Sequence, residues 1–327
     1  MTDEEVIECY PRLKRPLHES VHDDIKKMTA MYIPEEIHDD TKIVHPLDCF
    51  TKPGRIPHIW CPGCGLGIVL TAYIRACQEA CQEMDWEWDK FVVVSGIGCT
   101  GRIAGYLNQD TYHTTHGRPI PFATGLKLAN PDLHVTVISG DGDLFAIGGN
   151  HLIHAARRNV NINVICVNNF NYGMTGGQVA PTTPKLARTS TSPYGCIEHA
   201  FNLPGLVAGA GASYVARWTT IHPRQIKDSI IDMFHTMGFT FTEIISPCPT
   251  GYGRPNKFGS GLEEMKMLME SSVVRHGYDP AKAGIDLGGP IVCGKFTETR
   301  KQTYLEAFIE LGNRVRKIKE MEKAKNK

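Results

Sequence analysis

The sequence predicts an α/β protein, a mostly parallel sheet with helices on both faces. Short apolar runs at 91–94, 135–138, 163–167, 213–216 and 240–245 recur between segments of helical periodicity. Short, mostly apolar runs alternating with helices are the pattern of strands covered on both faces. Residues that break structure follow several of them, at the carboxyl ends where such sheets place their ligands.

Taken in order, a helix over 67–81 precedes strand 91–94 and the turn Gly96-Ile97-Gly98-Cys99. The segment 116–130 leads to strand 135–138, which runs into Gly140-Asp141-Gly142. A crossover helix beginning near Asp143 leads to strand 163–167 and Asn168-Asn169, with 25 residues between Gly142 and Asn168. A helix near 199–210, strand 213–216, helix 223–237 and strand 240–245 complete the alternation, and Cys248 follows. Past Pro255 the pattern weakens. From about 298, Tyr304, Phe308, Leu311, Val315 and Ile318 mark a helix with one apolar stripe, a basic end and a solvated back, suited to docking. The division expected is a polar extension over 1–52 that wraps a neighbour or a partner chain, a domain over 53–255, and a C-terminal extension over 256–327.

The chain has 327 residues, 42% of them hydrophobic, with 35 basic against 35 acidic side chains. No global basic field favours nucleic acid or an anionic membrane. The start, MTDEEVIECYPR, lacks the features of a secretory signal, and no run of about eighteen apolar residues occurs. A soluble, cytoplasmic protein is expected. Eleven cysteines spread over the chain argue for free thiols and ligands in a reducing compartment. Cys166 reads as core. Cys77 and Cys81, and likewise Cys9, Cys49, Cys196 and Cys293, carry little sign of ligation.

Asp141 and the double Asn stand at the ends of two strands joined by one crossover. Carboxylate, amide oxygen and backbone carbonyl are hard ligands, suited to Mg²⁺ that also holds a phosphate. The glycines permit close approach, and a helix amino end there would face an anion. Cys61-Pro62-Gly63-Cys64 is a CxxC opening a helix, ambiguous among zinc, redox dithiol and iron–sulfur. A thioredoxin-type pair needs a strand before Trp60, and none is legible. Cys99 and Cys248 each follow a strand, so four thiols from three loops meet at one sheet edge. Their pattern alone leaves zinc and a [4Fe–4S] cluster open.

GDG followed at this distance by a double Asn resembles the thiamine diphosphate enzymes. With WCPGCG (60–65), GIGC (96–99), HGRPIPFATGLKLANPD (116–132), GDGD (140–143), GGNHLIHAARRN (148–159), NNFNYGMTGGQ (168–178), APTTP (180–184) and SPCPTGYG (246–253), residues 55–255 resemble the β subunit of the 2-oxoacid:ferredoxin oxidoreductases. The wording of GGNHLIHAARRN and YGMTGGQ looks most like the 2-oxoglutarate branch. The resemblance implies a thiamine diphosphate-binding fold, with Cys61, Cys64, Cys99 and Cys248 on a [4Fe–4S] cluster. It implies Mg²⁺ on Asp141, Asn169 and the backbone carbonyl of Asn171, and Gly98, Gly140, Gly142, Thr175 and Gly176 against the cofactor. The activity implied is coenzyme A-dependent oxidative decarboxylation of a 2-oxoacid, reversible in principle, with electrons passed to ferredoxin. The partners implied are an α subunit and small γ and δ subunits.

His116 and Arg118 lie in a loop expected to reach the active site, at the cofactor or the substrate carboxylate; the alternative is a pair bonded to backbone. His113 is a weaker candidate, and His58 either contacts substrate or covers the cluster. His151 and His154 fall on the crossover helix, where packing is the ordinary role. Met174 reads as a cofactor wedge or a core residue. Leu66 stands where some pyruvate-type relatives carry Glu, so the acid that contacts the aminopyrimidine is expected from the α subunit. Two rivals remain: a thiamine-dependent lyase with structural or zinc-holding cysteines, and a non-catalytic binding subunit.

Overall fold

A computed structural model describes residues 50–52 and 54–325, so most of the extension expected over 1–52 lies outside the described residues. Helix α1 (Leu66–Glu83) buries Val69, Leu70, Tyr73, Ile74, Cys77 and Ala80, one face at three- and four-residue spacing. Next come β1 (Phe91–Ser95), β2 (Asp110–His113), α2 (Pro119–Ala129) and β3 (His134–Gly140). Then follow α3 (Gly149–Arg158), β4 (Asn163–Asn168), a two-stranded ribbon of β5 (Asn171–Tyr172) and β6 (Gln178–Val179), and α4 (Leu203–Ala210). Strand β7 (Tyr214–Thr219), α5 (Pro223–His235) and β8 (Thr240–Ile245) complete the alternation. Beyond it lie α6 (Gly261–Ser271), β9 (Ser272–Val274), β10 (Ile291–Glu298) and α7 (Tyr304–Lys325).

The main sheet has the order β2-β1-β3-β4-β8-β7-β10-β9. Every pairing in it is parallel except that of β10 with β7. Strands β1, β7 and β8 are buried at every residue, the polar Arg217, Thr242 and Glu243 included. Helices α1 and α5 cover one face around Leu70, Tyr73, Ile74, Ile226 and Ile230. Ile120 of α2, Leu152 and Ala156 of α3, and Leu203 and Val207 of α4 belong to the core of the other face.

Two differences from the expected elements bear on the site. The crossover does not become a regular helix at Asp143: Asp143–Ile147 forms a widened π-type turn, and α3 starts at Gly149. The widened turn lets the Asp143 carboxylate reach back to the loops at 96–97 and 116–117. The second difference is β10, in the stretch where the apolar pattern weakens. It pairs with β7 and so brings residues past Pro255 into the sheet.

Candidate active site

The carboxyl ends of β1, β3, β4 and β8 converge, as the parallel order requires. Two adjoining cavities open there. One, of about 230 Å³, is lined by Gly98, His116, Gly140, Asp141, Gly142, Asn169, Asn171 and Thr175 among others. The other, of about 290 Å³, is lined by Cys61, Cys64, Cys99 and Cys248 together with Ile59, Trp60 and Arg102. Cys99, Asn169, Gly173 and Met174 line both.

In the first cavity Asp141 is buried, 2% exposed, and accepts a hydrogen bond from the Thr182 hydroxyl. Burial pushes its carboxyl up to about 7, against the opposing pull of that hydrogen bond. A second hard oxygen comes from the next strand. The Asn169 backbone carbonyl accepts from Asn171 Nδ2 at 2.7 Å, while Asn169 Oδ1 has only a long contact, 3.4 Å, with the Asn171 N–H. Gly98, at φ +127°, has open space where a β-carbon would stand. Gly140 and Gly142 line the cavity; at Gly142 the Tyr172 ring fills the place of a side chain. Thr175 lines it too, its hydroxyl donating to Gln178 Oε1 at 2.7 Å. Gly176 is not in the lining.

The organiser of this half is a residue that sequence reasoning missed. Asp143 Oδ1 lies 2.6 Å from His116 Nδ1 and accepts from the N–H groups of Gly117 (2.7 Å) and Ile97 (3.2 Å). Its Oδ2 accepts from Ser139 Oγ at 2.7 Å. Gly96 must lack a side chain because a β-carbon there would overlap this carboxylate. His116 therefore lines the cavity in a fixed orientation. Arg118 does not line it: the side chain is exposed and Nη1 donates to the carbonyls of Gly117 and Ile147. His113 bonds the Gly101 carbonyl through Nδ1 at 3.0 Å. His58 packs on Trp60, rings 4.9 Å apart, beside Gly67 of α1.

The four cysteines of the second cavity share one electrostatic neighbourhood. Burial pushes the Cys64 thiol up to about 12, and the nearby sulfurs of Cys248, Cys99 and Cys61 add to the rise. Burial likewise raises Cys99 and Cys248. Each loop is braced by a group with no sequence signature. Trp60 Nε1 donates to the Cys99 carbonyl at 2.8 Å, and Glu264 of α6 accepts from the Cys248 N–H at 2.7 Å. Gly63, at φ +80°, lies so near Gly261 that a β-carbon would come within 2.9 Å of its Cα. Helix α6 thus holds both the CPGC and the Cys248 loops. Among the described residues, no three His, Cys, Asp or Glu side chains gather closely enough to hold a single metal ion.

What this chain is similar to accords with that geometry. The family of the thiamine pyrophosphate enzyme C-terminal TPP-binding domain matches residues 96–244. The 2-oxoglutarate synthase subunit KorB of Methanocaldococcus jannaschii is 47% identical over 277 residues, covering 84% of this chain and 99% of that protein. The subunit of the same name from Methanothermobacter thermautotrophicus is 52% identical over 247 residues, covering 76% of this chain and 85% of that protein. A solved structure of 2-oxoglutarate:ferredoxin oxidoreductase from Magnetococcus marinus, with 2-oxoglutarate, coenzyme A and succinyl-CoA bound, superposes with a TM-score of 0.72 at 30% identity. That match covers 85% of this chain and 92% of the other. The chain belongs to the β-subunit family of the 2-oxoacid:ferredoxin oxidoreductases, in the branch that includes the 2-oxoglutarate synthase subunits KorB.

Proposed function

We propose that this chain is the thiamine diphosphate- and cluster-binding subunit of a 2-oxoglutarate:ferredoxin oxidoreductase. It would work with an α subunit, and with small γ and δ subunits, in the CoA-dependent oxidative decarboxylation of 2-oxoglutarate or its reversal. The single observation that carries the proposal is the shared wall: a hard-oxygen, glycine-lined cavity adjoins a four-thiol cavity across Cys99, Asn169, Gly173 and Met174.

The residues of the first cavity fit a diphosphate held through Mg²⁺. Asp141, Asn169 Oδ1 and the Asn171 carbonyl are oxygen donors of the kind Mg²⁺ takes. A buried carboxylate with its pKa pushed up is also what a cation would neutralise. Gly98, open where a β-carbon would stand, and Gly140 would leave room for the cofactor, with Thr175 beside them; Gly142 makes room for Tyr172 instead, and Gly176 lies outside the lining. Bound there, thiamine diphosphate supplies the carbanion-stabilising chemistry that 2-oxoacid decarboxylation needs.

The thiols fit a polynuclear cluster in number and placement: four cysteines from three loops line one cavity, the ligand count that a cubane cluster takes. A cavity of about 290 Å³ between three loops suits a [4Fe–4S] core held by Cys61, Cys64, Cys99 and Cys248, which supplies one-electron transfer. Solvent-exposed Cys61 marks the side from which ferredoxin would collect electrons. Free thiols of this kind suit a reducing, cytoplasmic setting.

His116, with Nδ1 fixed by Asp143, presents an imidazole whose Nε2 can exchange a proton or a hydrogen bond with substrate. Arg118, exposed and bonded to the carbonyls of Gly117 and Ile147, would have to leave those bonds to meet a substrate carboxylate. The test is anaerobic reconstitution of the complex, with iron and acid-labile sulfide analysis and ferredoxin reduction driven by 2-oxoglutarate and CoA. About four irons per β chain and CoA-dependent reduction are expected. A colourless complex holding stoichiometric zinc, or one that releases aldehyde without reducing ferredoxin, would leave a thiamine-dependent lyase in its place.

A further inference from the structure

The first residue of the double Asn lines neither cavity, yet it is buried to 1% exposure. Asn168 Nδ2 donates to Glu243 Oε1 on β8 at 2.7 Å, and Asn168 Oδ1 accepts from the Phe170 N–H at 3.0 Å. Glu243 Oε2 in turn accepts from Arg217 Nε on β7 at 2.7 Å, and Arg217 Nη1 donates to the Ala283 carbonyl at 2.6 Å. Arg217 and Glu243 are both wholly buried and sit opposite each other in the strand register.

A buried ion pair is a poor device for stability, because desolvation cancels most of its attraction. Its chemistry explains it better. An amide can turn either end toward a neighbour, but an ionised carboxylate only accepts. Glu243, held by Arg217, therefore forces the NH₂ end of Asn168 toward itself and leaves Oδ1 for the Phe170 N–H. That bond, with the Thr183 hydroxyl donating to the Phe170 carbonyl at 2.6 Å, holds Phe170 at φ +62°. A phenylalanine rarely adopts this left-handed conformation. The reversal at Phe170 carries both Asn169 and Asn171 to the cavity wall.

We infer that Arg217 and Glu243 are positioning residues for the metal–diphosphate loop, acting through the enforced orientation of Asn168. The inference rests on the reading that Asn169 and Asn171 hold Mg²⁺.

The experiment compares wild type, Asn168→Ala and the double variant Arg217→Met/Glu243→Met, each as full chain in its purified complex. Thiamine diphosphate is titrated calorimetrically at several Mg²⁺ concentrations, and the thermal midpoint is measured without cofactor. The double variant removes both buried charges but leaves Asn168 Nδ2 and the Ala283 carbonyl without these partners, so a lowered midpoint is expected and the Mg²⁺ dependence of binding is the discriminating readout. Both variants should bind thiamine diphosphate at least tenfold more weakly, with the gap narrowing as Mg²⁺ rises. Wild-type affinity in the double variant, or in Asn168→Ala should the double fail to fold, would overturn the inference and reduce the network to structure. A wild type with no Mg²⁺-dependent binding would overturn the metal reading itself, and the inference with it.

Discussion

His116 Nδ1 lies 2.6 Å from Asp143 Oδ1, so the imidazole at the cavity is oriented by a carboxylate that is itself buried. The same carboxylate also holds the turn after β1, the N–H of Gly117 and the Ser139 hydroxyl. One side chain thereby sets the relative position of three loops. Asp143→Asn replaces one accepting oxygen by a donor facing donors, leaving at least one buried group unpaired at a cost of about 1–3 kcal/mol. The expected outcome is a lowered thermal midpoint and a 10- to 100-fold fall in kcat/KM for the 2-oxoacid. His116→Gln should reduce turnover with little change in midpoint. Steady-state kinetics beside calorimetry separates the two.

Cys248→Ser should remove the cluster, and because its sulfur lies 3.8 Å from Asn171 Oδ1 and Cys99 belongs to both cavities, a modest loss of cofactor affinity should accompany it. Loss of iron and sulfide is expected, with thiamine diphosphate binding weakened but retained. Cys293→Ser and Cys166→Ser, both core residues, should keep full iron content. Retention of four irons in Cys248→Ser would assign the ligand elsewhere.

Gly98→Ala tests how closely the cofactor approaches. A β-carbon at Gly98 meets no atom within 4 Å, so the cost in the free chain is backbone strain alone, about 1–3 kcal/mol at its positive φ. With the diphosphate cofactor against that position, affinity should fall by well over tenfold. Equal loss of stability with and without cofactor would show that Gly98 does not face it.

The strands β1, β3, β4, β7 and β8 were legible because burial on both faces leaves a mostly apolar run in the sequence. The edge strand β2, Asp-Thr-Tyr-His, was not, being mostly exposed. Nor was β10, where Gly294 and Lys295 interrupt the run. Within the site, the chemistry-bearing residues announce themselves by type and spacing. Asp143, Thr182, Glu243 and Glu264 do not, since each acts on a partner brought near only by folding, as Glu264 does on the Cys248 amide across 16 residues. The GDGD wording did contain Asp143, but a first-turn acid in an expected helix gives no hint that it would turn back onto His116.

The rings of Trp86 and His134 stack with centroids 3.4 Å apart and planes within 9°. Burial, then the charges of Lys127 and Lys90, lowers the imidazole from 6.5 to about 4. The folded protein thus resists a proton that the unfolded chain accepts. The contribution to stability is full above about pH 6.5 and is lost as pH falls toward 4. Allowing for the exposed part of the ring, it amounts to roughly 1–2 kcal/mol. His134→Phe keeps the stack, and its thermal midpoint should fall less steeply than wild type between those two pH values.

The wall common to both cavities has a consequence for how such an enzyme ages and changes. Oxygen damage that loosens Cys99 would distort the chamber in which carbon chemistry occurs, so inactivation by air should not be repaired by added thiamine diphosphate alone. With a cluster and cofactor bound as proposed, variation at Gly173 or Met174 would reach redox potential and substrate handling together. Neither property could then drift under selection without dragging the other along.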